Sequence, residues 1–192
     1  HRLSLAETQL AAAATQNQQV ILPRKGVLEL QRILGGEGEV ELAIGTNHLR
    51  VQIGDIRFTS KLIDGKFPEY GRVIPSKPPH VMSAPRDLLR QALQRTSILS
   101  NEKYRGVRLS FAENTLTIQA HNPEQEEAED QIEVSYTGAE LEIGFNVTYL
   151  LDALAAIEAD TVEVAVTDSN SSCLVRAPGD TTVKFVVMPM RL

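Results

Sequence analysis

The chain has 192 residues, of which 42% are apolar, 23% charged and 5% aromatic, with no Trp. That balance excludes a disordered chain, and no apolar run approaches the ~20 residues that span a bilayer; Leu10 to Ala14 is far too short, and no signal-peptide pattern precedes it. A single Cys, Cys173, permits no internal disulfide, and a net charge of −6 excludes a chain that is basic throughout.

The chain opens on His1 rather than Met, so a processed or cut start is expected. A first helix is expected over Arg24–Leu34, introduced by Pro23 and stopped by Gly35-Gly36. Val27, Leu28, Leu30 and Leu34 give it an apolar stripe. Strands are expected over Glu39–Ile44, Leu49–Ile53 and Ile56–Ile63, separated by Gly45-Thr46-Asn47 and Gly54-Asp55. The stretch Gly71 to Pro79, with prolines at 75, 78 and 79, reads as a linker. A second helix is expected from Arg86 to Ser97, with Ser83 and Pro85 at its start and Leu88, Leu89, Ala92 and Leu93 facing a core. Strands follow at Gly106–Phe111, Leu116–Ala120, Gln131–Tyr136 and Leu141–Phe145. Asn146 is placed to cap a third helix from Val147 to about Ala159, and strands follow at Val162–Val166, Cys173–Arg176 and Val183–Val187.

An amphipathic helix followed by a β-meander therefore recurs three times, which points to stacked equivalent units of α+β class. Charge is unevenly spread over them. Residues 1–76 carry a net +1 and residues 77–192 a net −7. Glu124 to Glu142 holds eight acids and no base, whereas Arg86 to Arg108 holds six bases against Asp87 and Glu102. An acidic protein with basic helices should confine any polyanion contact to one face. Lys25 and Arg32, seven apart, share a helical face away from the apolar stripe, as do Arg86 and Arg90, four apart.

Catalytic signatures are missing. There is no Gly-rich phosphate loop and no H-E-x-x-H, and His1, His48, His80 and His121 have no metal-ligand spacing. No catalytic residue, metal or cofactor is expected. Cys173 reads as a buried structural thiol. The acid run reads as a solvated or interface-forming edge, with a carboxylate hydrolase as the rival reading. The C-terminus, Val186 to Leu192, is apolar where chains are usually polar, and two Met beside a free end suit a groove for varied apolar peptides as well as they suit a buried strand.

Several strings together resemble one family. They are HRL at 1–3, PRKGV at 23–27, FTSKLIDGKFP at 58–68, ILSNEKYRGVRL at 98–109, NPEQEEAE at 122–129, GFNVTY at 144–149 and MPMRL at 188–192. The resemblance is to the bacterial sliding clamp, the beta subunit of DNA polymerase III, and covers essentially the whole chain. It implies the DNA-clamp fold, with helices on the inner face and sheets outside. Residues 1–74 would be the C-terminal half of the middle domain and residues 75–192 a complete C-terminal domain.

The resemblance further implies a cytoplasmic, non-enzymatic processivity factor. Its ring of two head-to-tail subunits would surround duplex DNA without reading sequence; the fragment alone is expected to be monomeric. Partners implied are the polymerase III alpha subunit, the clamp loader, and other polymerases and repair proteins that carry short linear motifs, with no membrane partner. By matching positions the peptide groove would use His1, Arg2, Leu3, Pro68, Arg72, Val73, Tyr104, Asn146, Tyr149, Ser172, Val186, Val187, Met188, Pro189, Met190, Arg191 and Leu192. The DNA-facing residues would be Arg24, Lys25, Arg32, Arg86 and Arg90. The dimer interface would use Ile98 and Leu99 with Glu124, Glu126, Glu127 and Glu129. A peptide-binding adaptor with no direct DNA role is the alternative.

Overall fold

In the computed structural model, which describes residues 1–10 and 16–192, the chain divides into two compact units. Ala11–Ala14 of the short apolar run lie outside the described residues. One unit is Leu10–Glu69; the other joins His1–Gln9 to Tyr70–Leu192.

The smaller unit carries helix α1 (Arg24–Ile33); the other unit opens the chain with strand β1 (Arg2–Ala6). Pro23 sets the start of α1, and the Val27 amide donates to its carbonyl at 3.0 Å. Three antiparallel strands follow, β2 (Glu41–Ile44), β3 (His48–Ile53) and β4 (Ile56–Lys61), in the order β2-β3-β4. Gly54, at φ +53°, makes the two-residue turn that sets Ile53 against Ile56. Gly26 is buried because a Cβ there would lie 2.8 Å from Ser60 Oγ of β4. Among the described residues of this unit, Leu49 and Val51 alone are buried apolar side chains. The predicted stripe is largely open, with Val27, Leu28 and Leu34 exposed; among the described residues of the unit, one helix and three short strands are all there is to cover it.

The larger unit contains β5 (His80–Pro85), α2 (Arg86–Ser97), β6 (Gly106–Ala112), β7 (Thr115–His121), β8 (Glu127–Glu133), β9 (Leu141–Asn146), α3 (Val147–Ala155), β10 (Thr161–Val166), β11 (Cys173–Arg176) and β12 (Val183–Val187). A four-stranded sheet has the order β8-β7-β6-β9 and a five-stranded sheet the order β1-β12-β11-β10-β5. Two meanders thus exchange edges. β5, which runs into α2, pairs with β10 of the later meander; β9, which runs into α3, pairs with β6 of the earlier one. α2 packs against α3, and one continuous core joins them to both sheets through Met82, Leu93, Phe111, Ile118, Phe145, Leu154 and Val164.

The three helix-plus-meander modules match expectation, with β2 starting at Glu41 and β4 ending at Lys61, two residues inside the expected bounds; other details differ more. β1 and β5 lie where no strand was expected; Ser83 lies inside β5, whereas Pro85 both ends β5 and stands at the N-cap of α2, as expected. β8 covers Glu127–Glu133, not Gln131–Tyr136. Its acidic half pairs with β7 while Ala128, Asp130 and Ile132 turn inward, and Ser135 leaves to bridge Ser83. α3 stops at Ala155, because Ile157 turns back into the core and Thr161 must pair with Pro85. α1 ends at Ile33, with Leu34 as its cap. Among the described residues, no helix is long and apolar enough to cross a membrane.

Candidate functional site

The β1–β12 ladder brings the two ends of the chain side by side. Arg2 pairs with Val187 and Leu3 with Val186, and the Met188 amide donates to the His1 carbonyl at 2.9 Å. Strand alternation then divides the side chains between two faces. Val187 and Cys173 enter the main core. Val186 and Leu174 form a second, smaller cluster with Ala165, on which Leu3 and Ile74 pack. Arg72 closes the 3-10 turn Tyr70–Arg72, Val73 donates to the Tyr70 carbonyl, and Ile74 follows, so that the predicted Arg72-Val73 pair lies next to this cluster.

A cleft of about 450 Å³ opens between β1, β12 and α3, lined by the predicted Arg2, Leu3, Tyr149, Val186 and Val187. The Arg2 guanidinium forms an ion pair with Asp152 and lies 4.5 Å from the Tyr149 ring centroid. Asp152, Ser4, Ala153, Ala156 and Phe185 complete the lining and were not foreseen. The available signal was the spacing of Asp152, three residues after Tyr149 on one helical face. A second cleft of about 390 Å³ contains the predicted Tyr104, Met190, Arg191 and Leu192, together with Asn101, Gly106, His121, Asn122 and Pro123. The chain from Val186 to Leu192 therefore runs from one cleft into the other. Apolar walls with a few polar rim groups suit an extended peptide.

Asn146 holds these parts together. Its Oδ1 accepts from the Thr148 and Tyr149 amides at 3.0 and 3.3 Å, the N-cap expected from the sequence, and its Nδ2 donates to the Tyr104 carbonyl at 3.0 Å. Asn146→Ala removes the cap and the tie to Tyr104. It should cost about 1–2 kcal/mol of stability, read as a lowered urea midpoint with unchanged slope.

The remaining predicted residues lie elsewhere. Pro68 belongs to the smaller unit, and Ser172 directly precedes β11. Arg24, Lys25 and Arg32 are exposed on α1, where Arg32 pairs with Glu29 at 3.2 Å. Arg90 pairs with Asp87 at 3.5 Å on α2. Arg86 is drawn back: one guanidinium nitrogen donates to the Ile157 carbonyl at 2.5 Å and another lies 3.3 Å from Asp87. Ile98, at the end of α2, is 75% exposed, and Leu99 is half-buried. Glu127 and Glu129 are exposed on β8, an edge strand; Glu129 accepts from Gln119 and Glu126 from Asn122, both at 2.6 Å.

Burial pushes the Cys173 thiol up to about 12, which leaves it no nucleophilic role. Asp130, the part-buried acid of the run, accepts from Arg95 at 2.9 Å, an ion-pair arrangement rather than a carboxylate pair. Among the described residues no group of three His, Cys, Asp or Glu could hold a metal.

The family model for the DNA polymerase III beta subunit, C-terminal domain, matches residues 71–191, and that for its central domain matches residues 1–69. The beta sliding clamp of Salmonella typhimurium is 51% identical over 193 aligned residues, which take in 100% of this chain and 52% of that protein. A crystal structure of the Pseudomonas aeruginosa sliding clamp with ligand superposes with a TM-score of 0.97 at 50% identity, covering 100% of this chain and 53% of that one. Another, of the same organism's clamp bound to griselimycin, gives a TM-score of 0.96 at 50% identity, with 100% and 52% covered. The chain spans about half the length of these relatives.

Proposed function

The chain belongs to the family of DNA polymerase III beta subunits, and we propose that it is the partner-binding portion of a bacterial replication clamp. The working assembly is a non-catalytic ring of two head-to-tail subunits in the cytoplasm that surrounds duplex DNA and tethers polymerases, the clamp loader and repair proteins. Residues 1–74 serve as the second half of the middle domain and residues 75–192 as the C-terminal domain. The observation that carries this reading is the apolar chain end, whose residues line two successive clefts with Arg2, Leu3, Tyr104 and Tyr149. Ile98 and Leu99, with Glu124 and Glu126 in the turn before β8 and Glu127 and Glu129 on that edge strand, form the surface that meets a second subunit.

Calorimetric titration with a Gln-Leu-x-Leu-Phe-type peptide tests the groove. Saturable one-to-one binding that griselimycin displaces is the expected result; a chain that binds neither overturns the reading.

The DNA role rests on Arg24, Lys25, Arg32 and Arg90 facing the duplex, with Arg86 behind them, drawn back onto the Ile157 carbonyl. Contacts to phosphate alone carry no sequence information and leave the protein free to slide. Duplex binding should be weak, indifferent to sequence, and fall with salt at a log–log slope no steeper than about −4.5. Fluorescence anisotropy with two unrelated duplexes reads this; a preference for one sequence, or no response to salt, contradicts it.

A further inference from the structure

Gly106 and Gly144 stand on one face of the four-stranded sheet, opposite the core-facing Val107 and Phe145. Gly106 pairs with Asn146 and Gly144 with Arg108, so the glycines are diagonal neighbours across the β6–β9 ladder. Neither has a positive φ. Their backbone conformation is open to any residue, and Gly weakens a strand, so conformational need does not explain two glycines here.

What lies over them does. The Met190 amide donates to the Gly144 carbonyl at 2.9 Å, and the Leu192 side chain covers both glycines. A Cβ on Gly144 would stand 2.5 Å from the Met190 carbonyl oxygen and 2.8 Å from Leu192 Cγ. A Cβ on Gly106 would collide with Leu192 Cδ2 while staying 3.6 Å from Met190 Sδ. The two obstructions differ in kind: backbone at Gly144, the tip of one side chain at Gly106.

We propose that Gly106 and Gly144 are positioning residues. Their missing side chains make a flat seat on the sheet that holds the segment Met190–Leu192 in place for an incoming peptide. The proposal rests on the groove reading above. A tail already fixed in its working position binds without first being ordered, which is a gain in affinity with no added contact.

The test uses the whole 192-residue chain, three single and two double variants, and two readouts. The readouts are amide hydrogen exchange at Met190, which involves no ligand, and calorimetric affinity for the Gln-Leu-x-Leu-Phe-type peptide. Gly144→Ala should abolish Met190 protection and weaken the peptide about tenfold or more, with Val107 and Phe145 amides still protected as evidence of an intact sheet. Gly106→Ala should weaken the peptide on its own but add nothing once Leu192→Ala has removed the colliding side chain. In the Leu192→Ala background, Gly144→Ala should still weaken it, since the Met190 carbonyl remains in the way. Wild-type protection of Met190 in Gly144→Ala, or a Gly106→Ala effect that simply adds to Leu192→Ala, overturns the seat. Should Gly144→Ala not fold, the Gly106 and Leu192 cycle decides. A wild-type chain that fails to bind the peptide removes the groove reading instead, and the exchange data still decide whether the glycines seat the tail.

Discussion

Deleting Met188–Leu192 is expected to weaken binding of a Gln-Leu-x-Leu-Phe-type peptide by roughly 100-fold or more, while the melting temperature falls by only a few degrees. None of the five residues belongs to either buried cluster; Met188 and Leu192 are exposed. Their attachment is two backbone hydrogen bonds, Met188 to the His1 carbonyl and Met190 to that of Gly144, with the Leu192 side chain lying over two glycines. Little stability is therefore lost with them. Binding is another matter, because Met190, Arg191 and Leu192 supply one side of the second cleft. Apolar anchors in a desolvated site are worth about 2–4 kcal/mol each when truncated, and two such losses exceed a hundredfold in affinity. Calorimetry on intact and shortened chains, with melting curves alongside, reads both quantities. A shortened chain that binds within about threefold of the intact one would show that the groove lies elsewhere.

The second large effect concerns stability. Phe145→Ala should cost about 3–5 kcal/mol, a large share of the ~5–15 kcal/mol that holds an ordinary domain together. Phe145 is fully buried in β9 opposite Val107, at the point where β9 delivers the chain to the Asn146 cap and α3. Truncation there opens a cavity that cannot close, because β9 is held in register by its ladder to β6 and β6 in turn by β7. The site allows a contrast on the other side of the Asn146 side chain. Tyr104, 55% exposed, holds Asn146 through its carbonyl rather than its ring. Tyr104→Ala should leave stability within about 0.5 kcal/mol and weaken the peptide. Urea unfolding of the two variants separates core from groove; a Phe145→Ala loss under about 1 kcal/mol would contradict the packing described.

Elements whose signals are local were legible in the sequence. α2 begins at Arg86 and ends at Ser97, and β11 and β12 have the expected bounds, because apolar periodicity and turn residues sit beside them. Asn146 was legible as a cap for the same reason. β1 and β5 were not. Each is short, β5 ends on Pro85, and each is a strand because a distant partner accepts it: β12 for β1, β10 for β5. β8 was hidden by its charge, since an edge strand needs only alternate inward residues, here Ala128 and Ile132 with Asp130 tied to Arg95. The site divides in the same way. An apolar terminus announced itself, but Asp152 joins Arg2 across 150 residues of sequence. The glycines of the sheet carried no signal of their partner, because a residue without a side chain says nothing of what rests on it.

The exchange of edges between the two meanders sets the order in which the larger unit can form. β6 has to wait for β9 before it is paired on both sides, and β5 with α2 has to wait for β10, so no half closes by itself as the chain grows. Pairings between residues so far apart form slowly, since the loop between them must be closed before any contact rewards it. Maturation of this unit is thus one late, concerted event, and until β10 emerges the open side of β5 is a hazard for sticking to other nascent chains.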